Sequence, residues 1–253
     1  MKNSTADHGP TDWSTLGHVI DHVKQLGSQT PRTGPPPTGA GVSVWSWSTT
    51  ADVVGGRPVQ EAGAVLDADE RGRAARMVQP ADRHRYLASH LGLRVLLGSH
   101  LGLAPRDIRL IREDCPCCGA PHGRPAVADA ALHFSLSHSG DMAYLALAAR
   151  PVGVDIEAIP SPQAVADVIN ALHPAETAEL NALAIEQRPT ALARLWARKE
   201  AVLKATGTGL AQGLTHPYVG SHPAPAHPPG WTLADLPAPH DYKAALATTD
   251  DKT

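Results

Sequence analysis

At 253 residues, 42% hydrophobic and 19% charged, the chain has the composition of a globular protein with room for one large domain or two small lobes. A net charge of -3 excludes bulk electrostatic attraction to nucleic acid or to an anionic membrane. No apolar run approaches the roughly 20 residues of a membrane span and no basic-then-apolar signal pattern opens the chain, so a cytoplasmic location is expected.

Residues 1–38 carry little apolar periodicity and end in a stretch rich in Pro and Gly, the composition of a flexible N-terminal extension; a short amphipathic helix near Leu16 to Leu26 is the one element they suggest. The folded body is expected to begin at Val42-Ser43-Val44-Trp45-Ser46-Trp47, whose alternation reads as a strand. Helix follows from about Asp67 to Leu101, broken near Pro80, with Asp82 and Arg83 opening the second piece and Leu87, Leu91 and Val95 on its buried face. Between Arg71 and Arg94, six arginines (Arg71, Arg73, Arg76, Arg83, Arg85, Arg94) stand against one acid, Asp82. Guanidinium groups suit phosphate through bidentate hydrogen bonds, although charge runs on helices are more often solvated faces.

Three cysteines sit together in Cys115-Pro116-Cys117-Cys118, too close in sequence to staple distant segments. Adjacent cysteines do not match common zinc spacings, so a reduced, turn-rich loop is favoured over a zinc knuckle completed by His122. Pro121 to Pro125 reads as a tight turn presenting Arg124. His133 to Ser139 and Met142 to Ala148 read as strands, with Ser137, His138 and Ser139 at a strand end where polar groups line a cleft. The short connection through Arg150 predicts that Met142 to Ala148 pairs with Val152 to Glu157.

In Val152 to Glu157, Val152, Val154 and Ile156 alternate with Gly153, Asp155 and Glu157, which predicts a strand with one buried face and both acids on the other. Same-face carboxylates roughly 7 Å apart repel unless a cation or polar cleft lies between them. Helical segments are expected at about 163–172 and 174–186, and again from Ala191 to Lys204. In the last, Leu192, Leu195, Trp196, Val202 and Leu203 share one arc, Glu200 and Lys204 border it, and Arg194, Arg198 and Ala201 point to solvent. Lys199 falls inside the apolar arc, where it either snorkels or reaches an anionic ligand; the ligand is favoured. Gly207 suits the left-handed capping position. Irregular strands around Trp231 and a strand near Tyr242 to Ala247 complete an α+β pattern in two halves, 42–150 and 151–247.

Gly153-Val154-Asp155-Ile156-Glu157 and the run from Trp196-Ala197-Arg198-Lys199-Glu200 through Lys204 to Gly207-Thr208-Gly209-Leu210 resemble the paired signatures of the 4'-phosphopantetheinyl transferases. The Arg-rich helices, His122-Gly123-Arg124-Pro125 and Phe134-Ser135-Leu136-Ser137-His138-Ser139 match further motifs of that family in the same order, over residues 42–247. Thr208, Ser135 and Arg124 depart from the commoner residues at their positions.

The length resembles the surfactin-synthetase-activating type, which implies two similar α/β lobes related by a pseudo-two-fold axis, with the active site at their junction, in a monomer. The activity implied is transfer of the 4'-phosphopantetheine arm of coenzyme A to a serine of an apo acyl, peptidyl or aryl carrier protein, with Mg2+, or Mn2+ in its place. Carried over by position, Asp155, Glu157 and Glu200 match the metal-site acids; Glu200 and Lys204 are the catalytic candidates, with Glu176 a second base. Arg73, Arg76, Arg85, Arg124, Ser137, His138, Lys199 and Lys204 are the implied coenzyme A contacts. The partner carrier is expected to be acidic and to dock near Arg150 and the region after Pro160. A Mg-dependent pyrophosphatase or nucleotidyl transferase, and a non-catalytic coenzyme A or carrier-binding module, share part of the pattern.

Overall fold

The computed structural model describes residues 23–209 and 213–250. Its first half opens with β1 (Lys24–Gln25), β2 (Val42–Ser48) and the small hairpin β3 (Val53–Val54) and β4 (Arg57–Pro58). Helices α1 (Ala68–Arg76) and α2 (Pro80–Leu101) follow, then the short strands β5 (Leu110–Arg112) and β6 (Pro125–Val127) and the long strands β7 (His133–Ser139) and β8 (Met142–Ala148). The second half contains β9 (Val152–Ala158), α3 (Pro162–Val168), α4 (Pro174–Ala182), α5 (Arg188–Thr206), β10 (Trp231–Leu236) and β11 (Tyr242–Thr249).

Two main sheets result, a mixed one in the order β1-β2-β8-β7 and an antiparallel one in the order β10-β11-β9. Period-two patterning sorts their side chains. Trp45, Trp47, Leu145 and Leu147 face α2 in one core, whereas Val44, Tyr144 and Ala146 face Val154, Ile156 and Leu246 in a second core between the sheets. A third core lies beneath α5, where Leu192, Leu195, Ala201 and Val202 meet Leu233, Ala245 and Ala247. Gly92 lets α2 settle on Trp47, because a Cβ there would stand 2.5 Å from the indole, and Trp47 Nε1 donates to the Ala88 carbonyl at 3.2 Å.

Three expectations are corrected. The pairing of Met142–Ala148 with Val152–Glu157 does not form: β8 lies between β2 and β7, and β9 pairs with β11, with Asp155 opposite Ala245. The chain changes sheets at Arg150, and β9 is covered on its Val154 and Ile156 face by the core between the sheets and at Gly153 by α5. The N-terminal segment is not a free extension from residue 23 onward, since β1 runs parallel to β2, Leu26 is buried, and Thr33 Oγ1 lies 2.7 Å from Ser99 Oγ. The helix suggested for Leu16 to Leu26 lies largely outside the described residues, and Lys24–Gln25 is strand. Finally, Arg198 and Ala201 are buried. Arg198 pairs with both carboxylate oxygens of Asp235 at 2.7 Å and donates to the carbonyls of Gly220, His222 and Pro223, so the segment before β10 covers the side of α5 assigned to solvent.

Candidate active site

The site begins with a missing side chain. A Cβ on Gly153 would fall 1.9 Å from the Ala201 carbonyl oxygen, so glycine is what allows α5 to lie directly on β9. The contact brings Lys204, one turn before the left-handed cap at Gly207, over Asp155, with Nζ 2.5 Å from Oδ1. On its other edge β9 meets β7 through hydroxyls rather than through a backbone ladder. The amides of Val154, Ile156 and Ala158 donate to Ser135 Oγ at 3.1 Å, Ser137 Oγ at 3.4 Å and Ser139 Oγ at 3.2 Å. Ser137 in turn donates to Asp155 Oδ1 at 2.7 Å, and Ser139 to Glu157 Oε2 at 3.4 Å. The alternate serines of β7 therefore satisfy the edge of β9 and aim its acids.

Those acids open into a cleft of about 770 Å³ whose walls include Asp155, Glu157, Glu200, Lys204, Ser137 and His138. Burial raises all three carboxyls: Glu157 is pushed up to about 7, with the Asp155 charge adding and Lys204 opposing. Asp155 is raised by burial against the pull of Lys204, and Glu200 by burial and by Asp155. Asp155 Oδ2 is buried without a hydrogen-bond partner. An orphaned carboxylate oxygen among acids that repel one another fits a hard divalent cation with oxygen ligands. Lys204 pairs with Asp155, and among the described residues donor atoms of three metal-ligand side chains converge within 4.8 Å at Cys115, Cys118 and His122 rather than at the three carboxylates.

Of the other residues singled out from the sequence, His138 and Arg73 reach the cleft. Enclosure, His90 and Lys204 hold His138 below the usual imidazole range. Arg124 stands behind the wall, donating to Glu113 Oε2 at 2.6 Å and to the Ala205 carbonyl at 2.7 Å. Arg85 is engaged by Asp141 at 2.9 Å and Arg76 is exposed; neither lines the cleft. Lys199 is a correction, because it is buried and paired with Glu176 at 3.0 Å, away from the cleft. Glu176, the second base suggested by the sequence, also accepts from the Val219 amide at 2.9 Å, is buried and does not line the cleft. The apolar arc containing Lys199 is covered by α4, which supplies Glu176, and by the segment whose Pro217 carbonyl also accepts from Lys199.

Sequence reasoning missed Arg112, His90, Asp67 and Glu70, which also line the cleft. Arg112 is shifted down by burial and by Arg73, the mark of two cations facing one space. Glu70 holds His90 at 2.8 Å and Arg94 at 2.6 Å and is lowered to about 2, burial being outweighed by these bonds. The only sequence signal was Asp67 three residues before Glu70, a capping box that both residues do form.

A 4'-phosphopantetheinyl transferase, HetI of Nostoc sp., is 32% identical over 194 residues, which cover 75% of this chain and 81% of HetI. The chain belongs to the 4'-phosphopantetheinyl transferase family. The family model described as the 4'-phosphopantetheinyl transferase superfamily matches residues 151–247, the span carrying the three acids and Lys204. A 4'-phosphopantetheinyl transferase of Bacillus subtilis is 30% identical over 148 residues, covering 58% of this chain and 63% of that protein. Sfp of Bacillus subtilis strain 168 is 26% identical over 176 residues, or 69% and 73% of the two chains. In this transferase the match with HetI is longer than the 97 residues of the family model, so it draws on both halves of the fold.

Proposed function

We propose that the protein transfers the 4'-phosphopantetheine arm of coenzyme A to a serine hydroxyl of an apo carrier protein, releasing adenosine 3',5'-bisphosphate. The observation that carries this reading is the meeting of Asp155, Glu157, Glu200 and Lys204 with Ser137 and His138 in one cleft. The cleft draws its walls from both halves of the chain, and this supports a reading of 42–150 and 151–247 as two lobes about a pseudo-two-fold axis.

The chemistry divides among the chain's own groups. Attack on the β-phosphorus requires removal of the serine proton and stabilisation of the departing bisphosphate. Glu200 accepts that proton; burial and the neighbouring Asp155 raise its basicity toward the range a general base needs. Lys204 places its ammonium where negative charge develops on the leaving group. Arg73, Arg112 and His138, which line the same cleft as the acids, offer donors to the phosphates of the nucleotide end. Ser137 and Ser139 orient Asp155 and Glu157. Mg2+ is the cation that Asp155, Glu157 and Glu200 would hold, and when bound it supplies charge neutralisation on the pyrophosphate oxygens.

The deciding experiment incubates the protein with coenzyme A, Mg2+ and a set of apo acyl, peptidyl and aryl carrier domains, and reads each carrier by intact mass. A gain of one phosphopantetheine on the carrier serine, lost when Mg2+ is chelated, is the expected result. Hydrolysed coenzyme A with unmodified carriers would instead mark a pyrophosphatase.

A further inference from the structure

The loop between β5 and β6 brings soft metal ligands to one point. The sulfurs of Cys115 and Cys118 and a ring nitrogen of His122 all lie within 4.8 Å of one another, and Cys118 Sγ is 3.1 Å from His122 Nε2. Tetrahedral zinc, with bonds of about 2.3 Å to sulfur and 2.0 Å to nitrogen, separates its ligand atoms by about 3.5–3.8 Å, within the span of these distances. Cys115 and Cys118 have two residues between them, the usual spacing of a zinc pair, masked in the sequence by the additional Cys117.

The backbone is arranged as a chelating turn. The Gly119 amide donates to the Cys115 carbonyl, and the Cys115 and His122 amides both donate to the Ala120 carbonyl, each at 2.8 Å. Gly119 supplies the left-handed residue at φ +72°. Thiolate and imidazole ligands select zinc over Mg2+, so this chemistry is distinct from that of the carboxylates.

We propose that Cys115, Cys118 and His122 bind one zinc ion, with solvent in the fourth position. Binding displaces the thiol protons of Cys115 and Cys118 to water and leaves both sulfurs as thiolates bonded to the metal. The ion fixes a loop that forms part of the cleft wall: Pro121 and Pro125 line the cleft, and Arg124 ties the loop to the end of α5 through the Ala205 carbonyl. That positioning role rests on the transferase reading, whereas the metal content does not.

The test measures zinc in the full chain, purified reduced and dialysed without chelator, by elemental mass spectrometry. About one zinc per chain is expected in the wild type and in Cys117→Ser, falling to background in Cys118→Ser and His122→Gln. Cobalt replacement in the wild type provides a readout that survives if a variant fails to fold, as a thiolate-to-cobalt charge-transfer band. Absence of that band together with absence of zinc uptake by the reduced wild type overturns the site, as does full zinc retention in both variants. Zinc removal is expected to raise KM for coenzyme A several-fold; an unchanged KM after removal of zinc that the wild type has been shown to bind overturns the positioning role alone.

Discussion

Gly153 lies so closely beneath Ala201 that a methyl group would stand 1.9 Å from the Ala201 carbonyl oxygen. The neighbouring atoms are helix backbone, which cannot move aside as a side chain would. Gly153→Ala is therefore expected to destabilise the protein by about 3 kcal/mol or more, or to prevent folding. Denaturant unfolding of the variant checks this; wild-type stability would mean that α5 does not rest on β9 as described.

Lys199 and Glu176 form a buried pair, and neither lines the cleft. Lys199→Met strands the Glu176 carboxylate and should cost about 3–5 kcal/mol, while the folded fraction keeps its KM for coenzyme A. A large rise in KM at unchanged stability would return Lys199 to the ligand.

Glu200→Gln should lower transfer by about 10²- to 10⁴-fold if Glu200 takes the serine proton. Because it removes one of three mutually repelling acids, the variant should melt no lower than the wild type in chelator. Wild-type turnover in Glu200→Gln defeats this role.

The acid cluster also predicts a pH signature. Glu157 has a folded pKa of about 7 against 4.5 when unfolded, so between these values the folded protein holds a proton that the unfolded chain releases. Stability of the chelated protein should fall as pH rises through that window, with Asp155 and Glu200 acting in the same direction. Mg2+ should recover melting temperature, most strongly above about pH 7. Glu70 acts oppositely at lower pH: its folded pKa of about 2 means that its stabilisation is present above about 4.5 and lost as pH falls toward 2. Thermal scans across pH, with and without Mg2+, separate the two.

Ser137→Ala removes both a donor to Asp155 and the acceptor for the Ile156 amide. Leaving these buried groups unmatched should cost about 1–3 kcal/mol, and transfer should weaken because Asp155 loses its orientation. Unfolding and turnover measured on one preparation test both parts; no change in either would show that the serine contacts on β9 are incidental.

The sequence by itself determined the main elements and the candidate site residues. Alternation marked β2 and β9, the 3.6-residue period marked α5, Gly207 takes the left-handed cap at φ +76°, and Asp155, Glu157, Glu200 and Lys204 could be picked out because two motifs name them. Tertiary structure alone decided what covers each face. Periodicity shows that a residue lies on a buried arc but not which remote segment meets it, so Lys199 found Glu176, Arg198 found Asp235, and Arg94 found Asp67 and Glu70. The same reason moved β9 from β8 to β11 and brought Cys115, Cys118 and His122 together. A charge near a core is stable only with a partner, and that partner is set by the path of the chain in space rather than by local spacing.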